Sequence, residues 1–194
     1  MPGLAPPVAD ERTALLAFLS QQRQGLRVST HGLTEEQARS APCASELNIA
    51  GLIKHAGYCE RGWMDLVLRR ESAPRTPEES AVGEFHLGPE ENLADLLVRY
   101  DRACAETDEV IASIADLGQA VPVPPNAEWI PAEIKEWSVR WVLLHLIEET
   151  ARHAGHADII RETIDGATHY PLLAAAEQWP DPWFQPWEPA TATA

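Results

Sequence analysis

The chain has 194 residues, 45% of them hydrophobic and 23% charged; that is enough for one domain with its own core, and it excludes a disordered or fibrous protein. Against 15 Lys and Arg stand 30 Asp and Glu, a formal net charge of -15 that repels phosphate backbones and anionic lipid, so neither nucleic acid nor a membrane is an expected partner. No apolar run reaches the roughly 20 residues needed to span a bilayer, the opening MPGLAPPVADER lacks a signal-peptide pattern, and Cys43, Cys59 and Cys104 form no CxxC pair, so a reducing cytoplasmic location is expected.

From Asp10 to about Val28, Leu15, Leu16, Phe18, Leu19 and Leu26 recur at helical spacing and run into a break at Gly32. Thr34-Glu-Glu-Gln37 resembles a capping box opening a short helical turn. A second long helix is predicted over about Glu46 to Arg70. Pro74, Pro77 and Gly83 then make 71–89 a long connection, of the kind that crosses between helices that are not antiparallel neighbours. Pro89-Glu90-Glu91 opens the third long helix, with Leu93, Leu96, Leu97, Tyr100, Cys104, Val110, Ile111 and Ile114 on its apolar positions and a stop near Gly118. Residues 119–136, with VPVPP, read as irregular with room for a short extended piece. The fourth long helix runs from near Ser138 past Ile164 to a C-cap at Gly166. The Trp/Pro-rich tail, about 170–188, carries Trp179, Trp183, Phe184 and Trp187; it has too much aromatic surface to float free and is expected to pack back on the helices. One domain over 1–194 is the expectation.

The fourth helix contains HLIEETARHAGH, residues 145–156. On a wheel of about 100° per residue, His153 falls about 40° from Glu149, His145 about 40° to its other side and His156 about 20° away. The apolar positions Val142, Leu146, Ala157, Ile160 and Ile164 centre on His153. A lone buried carboxylate costs several kcal/mol unless a cation or strong donors meet it, and a metal ion would meet Glu149 and His153 together. On the second long helix His55 shares its stripe with Leu52, Cys59, Trp63 and Leu66, making it the candidate third ligand. Three mixed nitrogen and oxygen donors leave room for water or substrate; zinc is the first choice, with Ni, Fe or Mn also compatible with such donors. The competing reading is a hydrogen-bonded His/Glu core without metal. Cys59 reads rather as a small buried hydrophobe than as a thiolate ligand. His145 and His156 are candidates for the rim of the site, and Tyr58, His145 and His156 are candidate catalytic groups that could orient substrate or move protons. Trp137 and Trp141 read as packing. His31, His86 and His169 fall in predicted loops and are expected to face solvent.

The stretches LNIAGLIKHAGYCERGW and WSVRWVLLHLIEETARHAGHADIIRETIDGA, followed by the Trp/Pro-rich end, resemble the DinB-like superfamily over about residues 10–188. In particular they resemble an actinobacterial branch related to the metal-binding domain of mycothiol-dependent maleylpyruvate isomerases. The resemblance implies an all-α four-helix bundle, up-down-down-up, with a long crossover between the second and third long helices. It also implies a divalent metal on His55, Glu149 and His153, since Glu149-x3-His153 follows the His, Glu, His variant of the family pattern; His145-x3-Glu149 would be a shifted register. Relatives of this kind use a low-molecular-weight thiol such as mycothiol, whose pKa the metal lowers, and join it to an electrophilic substrate. The implied activity is a metal-dependent thiol S-transferase. A metal-dependent isomerase or other biosynthetic enzyme of the same fold, or a non-catalytic metal-binding bundle, are the alternatives. With its last residue at Ala194, the chain is not expected to carry the further domain of full-length maleylpyruvate isomerases, an expectation that argues against that particular activity. Homodimerisation stays open.

Overall fold

The computed structural model describes residues 3–70, 83–124, 127, 130–180 and 183–189. Pro74 and Pro77 of the expected crossover, Pro125 of VPVPP and residues 181 and 182 of the tail lie outside them. Most of the described chain is helical. Helix α1 (Glu11–Val28) opens on Asp10, whose carboxylate accepts the Thr13 N–H at 2.9 Å at the positive end of the helix. Helix α2 (Glu35–Arg39) opens on the Thr34/Gln37 capping box with both reciprocal bonds made, at 3.2 and 3.0 Å.

The caps of the three long helices that follow set their boundaries. Asn48 before α3 (Ile49–Val67), Asn92 before α4 (Leu93–Ser113) and Ser138 before α5 (Val139–Asp165) are all extended, and each accepts the N–H three residues on. The second and third long helices therefore start later than Glu46 and Pro89. Helix α4 also stops short of Gly118, because Ile114 turns extended and is buried. Helix α5 ends at Gly166, whose φ of 76° is a left-handed position that suits glycine.

The short extended piece for which 119–136 leaves room becomes one strand of a small antiparallel sheet, a pairing that the all-α expectation does not contain. Strand β1 (Ala120–Pro122) pairs with β2 (Glu136–Ser138), with Val121 opposite Trp137. Those two side chains are buried while their neighbours on either side are not, an alternation too short to stand out in sequence. Helix α6 (His169–Ala176) is likewise unforeseen; Pro171 sits in its first turn, where its missing N–H is not needed. His169, expected to face solvent, is half-buried on α6 with its ring beside Gly25. In the tail, the Trp187 ring lies against His31 and under the fully buried Arg161 guanidinium, 4.8 Å from the ring centroid. The backbone N–H of Trp187 donates to the Pro171 carbonyl at 2.9 Å.

Helix α1 packs along α5, and α3 packs against both α4 and α5. Two apolar clusters fill the interior. One joins Leu19 of α1, Trp63 to Val67 of α3, Val110 and Ile111 of α4, and Val139 to Leu146 of α5. The other joins Leu26, Ile49 to Ala56, Leu93 to Cys104, and Ala154 to Ile160. Phe18, expected on the apolar stripe of α1, is instead exposed. Among the described residues no helix is long and apolar enough to cross a membrane.

Candidate metal centre

Between the two apolar clusters, α3 and α5 bring polar groups into the interior. His55 and His153 are each only 8% exposed, and Glu149 is half-buried between them. One carboxylate oxygen, Oε1 of Glu149, meets Nε2 of His55 at 3.1 Å and Nε2 of His153 at 3.0 Å. The helical repeat places Glu149 and His153 one turn apart on the same side; the contact with His55 comes from the packing of α3 on α5.

The second nitrogen of each imidazole is also engaged. Nδ1 of His55 lies 3.0 Å from Oε2 of Glu84, which is buried. Nδ1 of His153 faces Nδ1 of His156 at 3.5 Å. Phe85 stacks on His55 with ring centroids 4.1 Å apart and tilts against His153 at 5.7 Å. Glu84 and Phe85 belong to a 3₁₀ turn, Gly83–Phe85, that lies within the connection between α3 and α4 and rests on α3.

Cys59, one turn after His55, puts its sulfur 3.3 Å from the same Nε2. His55, Cys59 and Glu149 each offer a donor atom, all within 4.8 Å of one another. The sulfur therefore stands among polar donors, where the sequence reading has a small hydrophobe. His153 joins this trio through Oε1 of Glu149.

The charges follow from this packing. Burial opposes a positive His55 ring, but the Cys59 thiol and the Glu149 carboxylate outweigh it and bring its pKa up to about 9. Hydrogen bonds from His153 and His55 hold the Glu149 carboxyl well below the usual carboxylate range, against the opposing effect of burial. Burial, with His153 and Arg152 nearby, keeps His156 below its ordinary value.

The remaining candidates are His145 and Tyr58, of which Tyr58 faces a different part of the molecule. His145, one turn before Glu149, is taken up in an aromatic column: Trp137 stacks on Trp141 at 5.1 Å and Trp141 on His145 at 5.1 Å. Trp63 meets all three edge-on. Tyr58 lines a small crevice between α3 and α4 with Leu96, Arg99 and Tyr100, under the Arg61 guanidinium.

The donor types suit a divalent cation, and those whose atoms all lie within 4.8 Å of one another are His55, Cys59 and Glu149. Tetrahedral zinc with bonds of about 2.0–2.2 Å to nitrogen and oxygen keeps its donor atoms about 3.3 Å apart. The two Nε2 atoms stand within a few tenths of an ångström of that spacing from Oε1. Nitrogen, oxygen and sulfur donors together suit zinc, and nitrogen and oxygen alone also suit nickel, iron or manganese. Glu84 and Phe85 lie in an aperiodic connection and carry no signal in the sequence. For Cys59 the signal was there, since it shares the stripe of His55.

Comparisons with known proteins agree with the helical architecture. The model of the family described as mycothiol-S-transferase matches residues 14–166. A crystal structure of a conserved protein from Enterococcus faecalis superposes with a TM-score of 0.60 at 13% identity, over 82% of this chain and 100% of that one, a likeness of fold alone. No curated protein matches the chain.

Proposed function

The chain belongs to the mycothiol-S-transferase family, within the DinB-like superfamily, and from that premise we propose that it is a divalent-metal-dependent thiol S-transferase acting on a low-molecular-weight thiol of the mycothiol type and an electrophilic small molecule. The observation that carries this reading is the sharing of one Glu149 oxygen by the Nε2 atoms of two imidazoles from different helices. A cation held by all three groups would balance the half-buried carboxylate and leave room for an exogenous thiol. We take His55, Glu149 and His153 as its ligands, with zinc as the metal.

When bound, the ion supplies Lewis acidity that brings a thiol's pKa toward neutrality. The chain's own groups hold and shield the site. His156 backs His153, the Phe85 ring covers the imidazole of His55, and Glu149 offsets part of the cationic charge. His145, at the end of the aromatic column one turn from Glu149, is positioned to border an incoming electrophile.

We read the four long helices as one DinB-like four-helix bundle, up-down-down-up, in a single domain whose tail packs on it. The apolar clusters support this. The first halves of α1 and α5 share a cluster with the second halves of α3 and α4, so each pair runs parallel within itself and opposite to the other pair.

The test is metal content together with thiol chemistry. Wild-type protein is expected to hold about one zinc per chain and to consume mycothiol with monochlorobimane, and His153→Ala to lose both. Metal-loaded wild type that leaves mycothiol unconsumed would refute the transferase reading.

The sulfur of Cys59 supports a second reading, a closed four-donor site in a non-catalytic metal-binding bundle. A thiolate-to-metal charge-transfer band in the cobalt-loaded protein that persists at saturating mycothiol and vanishes in Cys59→Ser would favour it.

A further inference from the structure

We infer that the Gly83–Phe85 turn is a clamp on the metal centre and that Glu84 is a positioning residue for His55. This rests on the reading of His55, Glu149 and His153 as metal ligands. The buried Glu84 oxygen lies 3.0 Å from Nδ1 of His55. In the neutral, metal-binding form of His55 a carboxylate there accepts the Nδ1–H and so fixes the tautomer that leaves the Nε2 lone pair, on the Glu149 side of the ring, free for a cation. Phe85, stacked at 4.1 Å with an interplanar angle of 21°, closes one face of the same ring. Edge and face are thus both set by consecutive residues of one turn, leaving the imidazole little freedom to swing away. A partner of this kind also raises the basicity of the nitrogen that binds metal.

The turn is itself held by α3. Gly51, one turn before His55, lies so close that a Cβ there would be 2.1 Å from the Phe85 carbonyl oxygen and 2.9 Å from its carbon. Both atoms are backbone, so a side chain at residue 51 forces the turn away. Lys54 pins the next residue, donating to the His86 carbonyl at 2.8 Å and to Glu91 at 2.7 Å. Gly51, Lys54 and His55 therefore form one docking strip, and the segment docked on it returns a carboxylate to the ligand.

The experiment titrates zinc into the metal-stripped full chain and reads the dissociation constant by competition with a chelating indicator at fixed pH. Wild type, Glu84→Gln, Glu84→Ala and Gly51→Ala are compared, with circular dichroism to confirm folding. Glu84→Ala is expected to bind zinc about 10–100-fold more weakly. Glu84→Gln, which keeps an acceptor oxygen at the same reach, should recover part of that loss. Gly51→Ala touches no donor atom yet should weaken binding comparably, and combining it with Glu84→Ala should add little, because both act through the same turn. Wild-type affinity in folded Glu84→Ala or Gly51→Ala would overturn the inference; should Glu84→Ala not fold, Glu84→Gln and Gly51→Ala decide it. Failure of the wild type to bind zinc would sink the metal-centre reading itself. Tight binding by wild type, its loss in His153→Ala and no change in Glu84→Ala would sink the clamp alone.

Discussion

Replacing Glu60 by Gln removes one charge from the most buried ion pair of the described chain while nearly keeping its shape. Arg23 on α1 donates from Nε and one terminal nitrogen to the two oxygens of Glu60 on α3 at 2.7 and 2.8 Å, and the two side chains are 4% and 1% exposed. Burial works against the charge on Arg23, yet Glu60 and Asp108 keep it charged. Breaking such a pair from one side costs about 3–5 kcal/mol, because the remaining charge stays out of water. Two features lower that figure: glutamine retains one acceptor oxygen, and Asp108 still holds the other end of the guanidinium at 2.8 Å. About 2–3 kcal/mol is expected, or about 5–10 °C in Tm for a chain of this length. Calorimetry and urea unfolding at pH 7 measure it, with Asp108→Asn as the control. Asp108 is 51% exposed, so its loss should cost no more than about 1 kcal/mol. A Tm drop below about 2 °C for Glu60→Gln, or a larger one for Asp108→Asn, would refute the weighting of burial over proximity.

Gly32→Ala should destabilise by about 1–3 kcal/mol, because φ there is 72° and the new Cβ would sit 2.6 Å from the Trp187 ring; thermal unfolding together with faster proteolysis of the tail is the readout. Burial opposes the charged form of Glu91, but the Lys54 ammonium and the Gly88 N–H outweigh it and hold the carboxyl below its ordinary value. A carboxyl whose folded pKa lies below its unfolded value adds stability above the unfolded value and loses it as pH falls through the folded one, so Glu91→Gln should flatten the acid limb of the stability curve below about pH 4.5 and leave its slope near neutrality unchanged. Cys104 is pushed up to about 12 by burial and by the Glu60 charge, and should resist alkylation by iodoacetamide at pH 8 in the folded chain while the half-buried Cys43 and Cys59 react; mass spectrometry of the labelled peptides checks this.

The parts of the centre that lie on helices could be read from the chain alone. Glu149 and His153 are one turn apart among Val142, Leu146, Ala157 and Ile160, and His55 shares a stripe with Leu52 and Trp63, because the 3.6-residue repeat ties position in sequence to position around an axis. Helix ends were legible to within a few residues where a cap residue stood in the right place, as at Asp10, Thr34 and Gly166. The β1–β2 pair, helix α6 and the buried setting of His169 were not, since three-residue strands and a proline-bearing first turn carry too little pattern. Periodicity orients a side chain about its own helix but carries no information on which atom of a neighbouring helix it meets. That two imidazoles share one oxygen of Glu149, that the Cys59 sulfur stands beside them and that Glu84 reaches His55 from an aperiodic connection were decided by packing, because contacts between separate elements depend on how helices and turns settle against one another in three dimensions.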